Sequence, residues 1–329
     1  PARRPPRHPP HDQRRHRAGC SSVTTHHAHV ASAYTLTLGE GPVWDEARGR
    51  VLWVDVHRGE VFEGVLVGDD VEITARHMFE GTVGAVAPAV DGRLLVAGQE
   101  SLVVLGPDGV RTPGPRIVPT GTPDRTNDGA TDPAGRFLIG TLSLGMSSGG
   151  QRLVRIEDDG RQTVIDDDLW LSNGIAWSPD GSLLYTVDTL PGLVRVRDYD
   201  ARTGAVGPRR THLHLAGEFP DGLCVDVAGN LWIAIWGAGQ VRCYAPDGTL
   251  IDVVHVAAPR TSSVAFVGPA LDLLLITTAR VDLTAAELAE HPDSGRLFTA
   301  RTGAVGVPTT PWSGVWADPL NPTSNGATP

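Results

Sequence analysis

Three polar side chains recur just ahead of a glycine and an apolar run. They occur in Glu40-Gly41-Pro42-Val43-Trp44, Asn173-Gly174-Ile175-Ala176-Trp177 and Asp221-Gly222-Leu223-Cys224-Val225. Two carboxylates and an amide oxygen are hard donors, suited to Ca²⁺, Mg²⁺ or Mn²⁺, with Zn²⁺ as a further candidate. Three protein ligands would leave positions open for water and substrate, as a catalytic metal site requires. Each residue alone has a plainer explanation, because Asn and Asp before glycine are ordinary turn formers. The chemistry therefore depends on a fold that brings the three copies to one point.

The surrounding chain supplies such a fold. Each copy leads into a turn (Asp45 to Gly49, Pro179-Asp180-Gly181, Val227-Ala228-Gly229) and then a second apolar strand. Equivalent turns fall at Gly49, Gly92, Gly135, Gly181, Gly229 and near Ala270, spaced by 43, 43, 46, 48 and about 41 residues, the interval of propeller blades. Six such units predict an all-β, six-bladed β-propeller spanning residues 34–318. A jelly roll would explain short strands but not this near-constant interval, and no helices alternate with the strands as a parallel α/β fold needs. The sixth unit has strands at Ser263–Val267, Leu271–Thr277 and Arg296–Thr299, plus a short helix, Ala285–Glu290, capped by Asp282-Leu283-Thr284. It lacks a fourth strand, which Tyr34–Leu38 from the N-terminal side is expected to supply, closing the ring.

Bulk properties narrow the function classes. The 329 residues carry a formal net charge of -10, and the basic residues are all arginine. Six of these arginines lie in residues 1–33 against one acid, Asp12, leaving about -15 on the remainder, which argues against a nucleic-acid-binding body. Residues 1–33, rich in Pro, Arg and His, read as a disordered basic tail in which His26, His27 and His29 are solvated. Residues 319–329 read as a flexible C-terminal tail. No apolar run reaches the roughly 18 residues of a membrane span, so no membrane partner is expected. Three cysteines (Cys20, Cys224, Cys243) suit a reducing, cytoplasmic setting. Nothing in the sequence sets the oligomeric state.

In a propeller the innermost strand of each blade lines the central channel, and a residue just ahead of it stands at the mouth. Counted back from the turn glycines, Glu40 lies nine residues before Gly49, while Asn127, Asn173 and Asp221 lie eight before Gly135, Gly181 and Gly229. The same register holds Gly84 in the second blade and about Ser263 in the sixth. Four of six blades thus offer a carboxylate or carboxamide to one small volume. The body histidines (His57, His77, His212, His214, His255, His291) miss this register, and no Gly-x-Ser-x-Gly elbow occurs. Trp44 and Trp177 are expected to pack between blades, whereas Trp236 is placed to wall the mouth.

These segments resemble the gluconolactonase, senescence-marker-protein (regucalcin) and luciferin-regenerating-enzyme family. The resemblance rests on Leu38 to Trp44, Arg125-Thr126-Asn127-Asp128-Gly129, Asp132 to Arg136, Leu171 to Gly174, Pro220-Asp221-Gly222 and Ala279-Arg280. It implies one divalent metal, Ca²⁺ first among the candidates, held by Glu40, Asn173 and Asp221. It also implies substrate contact by Arg125 and Asn127, and hydrolysis of a small sugar lactone. Asp221 could then serve as both ligand and general base, and Arg125 could stabilise an oxyanion; a local ion pair with Asp124 or Asp128 is its plainer role. Some relatives place an acid shortly after the Gly-Thr matching Gly140-Thr141; here the residues are Ser143-Leu144-Gly145, which favours a different or less polar lactone. A non-catalytic calcium- or ligand-binding propeller is the alternative of another class.

Overall fold

The turn glycines Gly49, Gly92, Gly135, Gly181 and Gly229 all take positive φ, between 61° and 88°, a region that side chains with a Cβ rarely occupy. That is why the blade interval is readable in the sequence. The computed structural model describes residues 23–145 and 149–314. These residues form a six-bladed β-propeller whose six sheets each comprise four or five strands. The inner strands, in chain order, are Gly39–Asp45, Val83–Pro88, Asp124–Thr131, Ser172–Trp177, Phe219–Val225 and Thr261–Val267. No helix among the described residues is long and apolar enough to cross a membrane. The helix Ala285–Glu290 carries a full capping box between Thr284 and Glu287.

The apolar residues divide into six wedges, one between each pair of neighbouring blades. Trp44, Trp53 and Phe62 join the first blade to Leu273 and Leu275 of the sixth. Trp177, Leu184 and Tyr199 meet Leu138 and Leu153 of the third. This is the packing expected of Trp44 and Trp177.

Ring closure differs from the sequence expectation. The fourth strand of the sixth blade is His29–Val30, paired antiparallel to Phe298–Ala300, not Tyr34–Leu38. The physical reason is that Asp55 captures the backbone N–H groups of Thr37 (2.7 Å) and Leu38 (3.2 Å), leaving Leu38 one isolated bridge, to Ala279. The third strand of that blade is also shifted, from the expected Arg296–Thr299 to Phe298–Ala300.

Part of the expected tail is likewise structured. Thr24–His27 adds to the outer strand Leu250–His255 as a parallel fifth strand of the fifth blade. His26 Nε2 lies 2.9 Å from Asp252 Oδ1, and His27 stacks on His255 at 5.4 Å. An edge strand is held by backbone pairing with little burial, so composition gave no sign of it. Residues 1–22, including the Cys20 segment, and 319–329 lie outside the described residues.

The far end of the channel is crossed by residues 305–314. Val227 N donates to Val305 O, Gly306 N to Leu271 O, Trp312 N to Pro88 O and Ser313 N to Gly135 O. The segment thus ties the fifth and sixth blades to the second and third. Trp312 is 2% exposed and carries the Arg93 guanidinium over its ring at 5.6 Å. Trp312→Ala is expected to cost about 3–5 kcal/mol of stability, read as a lowered denaturation midpoint. A loss under 1 kcal/mol would show that the strap is not part of the core.

Candidate active site

Every inner strand departs from regular pairing at the same level, near the mouth. The register slips between Glu40 and Val43, Val83 and Ala85, Thr126 and Gly129, Asn173 and Ile175, Pro220 and Leu223, and Thr261 and Ser263. Bulges of this kind re-aim a side chain and tighten the local twist. All four polar residues at the expected register therefore sit in or beside a bulge.

The glycines of the motif have a packing cause. A Cβ at Gly174 would stand 2.6 Å from the Asp221 carbonyl oxygen and 2.8 Å from Val187. At Gly84 it would strike the Asn127 carbonyl, and at Gly222 the Ser263 side chain. Each glycine lets the next blade's inner strand approach the channel axis. Gly174→Ala should push the Asp221 backbone outward, costing about 1–3 kcal/mol through overpacking. Any lactone-opening activity should fall at least tenfold, an order-of-magnitude expectation for misplaced catalytic groups. Full activity in a normally folded Gly174→Ala protein would refute this reading of the motif.

Asn173 and Asp221 are buried, each 5% exposed, and Arg125 is 4% exposed. Asn173 Nδ2 donates to Asp221 Oδ1 and, at 3.2 Å, to Thr189 Oγ1. Its Oδ1 atom is buried with no hydrogen-bond partner. Arg125 donates to Asn127 Oδ1 and to the Thr126 carbonyl, both at 2.8 Å, while Asn127 Nδ2 donates to the Ser172 carbonyl at 2.9 Å. Asn127 is thus a strut between Arg125 and the fourth blade. Arg125 makes no ion pair with Asp124 or Asp128 among the described residues.

Burial above all, then the Asp128 charge, raises the Glu40 carboxyl to about 8; the Gly41 N–H and Arg125 oppose this. Asp221 is also raised well above the ordinary range, by burial, Glu40 and Asp128, against the Asn173 hydrogen bond and Arg125. Asp128, raised to about 6 by burial, accepts from the Gly129 N–H. Glu40 and Asp128 are half-buried by surface exposure, yet they sit deep enough in the channel for desolvation to remain the largest cause. Arg125 is lowered to about 10 by burial, against Glu40 and Asp221.

The electrostatics place Glu40, Arg125, Asp128 and Asp221 within reach of one another. Asp128 is the member that sequence reasoning missed. Its signal was the acid between the register residue Asn127 and Gly129, where Glu40, Asn173 and Asp221 are each followed directly by glycine. Asp128 also lines a cavity of about 330 Å³ that continues down the channel past Ile175, Trp177 and Ser263 to Thr309, beneath the polar mouth and away from Asn173.

No group of three or more His, Cys, Asp or Glu side chains arranged to hold a metal occurs among the described residues; the candidate set takes one donor from an amide. These residues fit a divalent cation. Asn173 Oδ1 is an orphaned buried acceptor, and its amide touches Asp221, which burial drives toward protonation together with the nearby Glu40. A cation would satisfy the first and reverse the second.

A six-bladed propeller with a buried carboxylate and amide cluster at one end of its channel is the class that this fold and site define. Residues 38–280 match the SMP-30/Gluconolactonase/LRE-like region, and the chain belongs to that family. The pentonolactonase XacC of Haloferax volcanii is 34% identical over 279 residues, covering 82% of this chain and 93% of the relative. The 6-deoxy-6-sulfogluconolactonase of Pseudomonas putida is 34% identical over 275 residues, covering 82% and 92%. The crystal structure of a calcium-binding protein, regucalcin, from Agrobacterium tumefaciens superposes with a TM-score of 0.83 at 28% identity, over 88% of this chain and 99% of that one.

Proposed function

We propose that the protein is a divalent-metal-dependent lactonase that opens a small cyclic ester at the channel mouth, with Ca²⁺ the first candidate ion and Zn²⁺, Mn²⁺ and Mg²⁺ alternatives. The observation that carries this reading is the unpartnered Asn173 Oδ1 beside the raised carboxyls of Glu40 and Asp221. Relatives named as lactonases, and a structural neighbour described as a calcium-binding protein, support it. Glu40, Asn173 and Asp221 would hold the ion. When bound, it supplies Lewis-acid polarisation of the ester carbonyl.

The remaining steps belong to the chain. Asp221 takes the proton from the water that attacks the carbonyl carbon, and returns it to the ring oxygen as the acyl C–O bond breaks. The product is a hydroxy acid. Arg125, braced by Asn127, directs its free N–H groups at the developing oxyanion or at a substrate hydroxyl. The free thiols Cys224 and Cys243 suit a reducing compartment.

A panel of sugar and aliphatic lactones, assayed with chelator and with each of the four ions, tests the proposal. Metal-restored ring opening is expected. The reading fails if the folded protein opens none of them with any ion.

A further inference from the structure

Arg260 immediately precedes Thr261–Val267, the inner strand of the sixth blade, so its backbone stands at the channel mouth. Its guanidinium lies 5.1 Å from the centre of the Trp236 ring, and the two residues form a backbone bridge. Trp236 is in turn the register partner of Phe219, the exposed first residue of the strand that carries Asp221. The loop behind them is pinned, because Gly237 N and Gly239 N both donate to Pro259 O at 2.9 and 3.2 Å. Phe219, Trp236 and Arg260 thus form a wall that begins two residues from Asp221.

The charge on this wall is unused. Several arginines elsewhere in the blades carry an ion pair: Arg136 with Asp132, Arg197 with Asp166, Arg242 with Glu218. Arg260 has no side-chain hydrogen bond or ion pair among the described residues, and its Nε is buried without a partner. Glu287 is the carboxylate that feels Arg260 electrostatically, but it is engaged by Thr284 N and Oγ1 at 2.7 and 2.8 Å. Across the mouth, the third blade exposes Leu144 and Trp170, with the half-buried Asp124 beside Leu144 as the register partner of Ser143. The rim at the fifth and sixth blades therefore offers a cation without an ion-pair partner, set apart from the carboxyls deeper in the mouth.

We propose that Arg260, stacked on Trp236, binds an anionic substituent of the lactone, so that the substrates are small lactones carrying a carboxylate or comparable oxyanion group. This rests on the lactonase reading. A guanidinium presents a planar fork of donors matched to a carboxylate. The indole face beneath it fixes the plane of that fork, reducing the ordering required on binding.

The test compares a matched pair of substrates, gluconolactone and glucarolactone, in which a carboxylate replaces the primary alcohol. Kinetics and titration calorimetry are run on the metal-loaded full chain. The wild type should favour the anionic member. Arg260→Gln should reduce the ratio of the two kcat/KM values by about tenfold to a hundredfold, the scale of a charge-assisted hydrogen bond, chiefly through KM. Trp236→Phe should give a smaller loss in the same direction, and covers the case in which Arg260→Gln does not fold.

An anionic-to-neutral ratio unmoved by these substitutions, in both kinetics and calorimetry, overturns the proposal. If gluconolactone is opened without any preference for glucarolactone, the anion site fails and the lactonase reading stands. If neither ring opens but calorimetry shows an Arg260-dependent preference for glucarolactone, the anion site stands and the lactonase reading fails.

Discussion

Replacing Asp221 by asparagine is expected to reduce kcat/KM for lactone opening by about a thousandfold or more, the scale of a lost general base. The substitution keeps the shape and the acceptor that Asn173 donates to, so the geometry of the mouth should survive. What it removes is a buried negative charge that Glu40 and Asp128 already oppose. The metal-free variant should therefore melt no lower than the metal-free wild type, and the rise in Tm on adding Ca²⁺ should shrink or vanish. For scale, an ion at a hundred times its Kd stabilises by about 2.7 kcal/mol. Activity within tenfold of wild type would show that Asp221 neither holds the ion nor moves the proton. A drop in activity with an unchanged calcium-induced Tm shift would assign Asp221 to proton transfer alone.

Chelation should make stability fall with pH across a range where most proteins are indifferent. Glu40 is raised from 4.5 to about 8 and Asp128 from 3.8 to about 6, and Asp221 moves in the same direction. Such groups bind more protons folded than unfolded. Their contribution is thus complete below the ordinary carboxylate range and is lost as pH rises through the folded values. Between about pH 4.5 and 8, the metal-free protein should lose on the order of a few kcal/mol. Exposed carboxylates act oppositely and at lower pH: Asp180, held down to about 2 by Ser178 and Ser182, contributes above its ordinary range and loses that as pH falls.

Calcium should reverse the trend, because its ligands must be deprotonated to bind. The gap in Tm between calcium-loaded and chelated protein should accordingly widen from pH 5 to pH 8. Parallel melting curves across that range would rule out an ion at the Glu40 and Asp221 carboxyls.

The consequences of the raised carboxyls connect the fold to its function. Six inner strands can converge on one axis only if each bulges inward at the same level, and the glycines at 84, 174 and 222 make room for that approach. Convergence then crowds three acids and one arginine into a desolvated mouth. Such crowding is costly unless a cation or substrate relieves it. The strap at the opposite end, with Trp312 packed between the second and third blades, ties these to the fifth and sixth.

The sequence alone determined the six-blade repeat, since the turn after the inner strand recurs at a near-constant interval and closes on a positive-φ glycine in five of the six blades. It also determined the polar register of Glu40, Asn127, Asn173 and Asp221, because a fixed offset from each turn places a residue at a fixed height in the channel. Only the tertiary structure decided what those residues do to one another. Asn127 spends both ends of its amide on Arg125 and Ser172, Asp128 joins the acids, and Asn173 keeps an unpartnered oxygen; all follow from contacts between blades far apart in the chain. Ring closure was decided at the same level. Asp55 takes the N–H groups of Thr37 and Leu38 while Leu36 N alone reaches Gly295 O, so the segment forms no strand there and His29–Val30 closes the sixth blade instead. Edge strands such as Thr24–His27 bury too little to leave a hydrophobic pattern, whereas backbone pairing, which the sequence does not display, is enough to hold them.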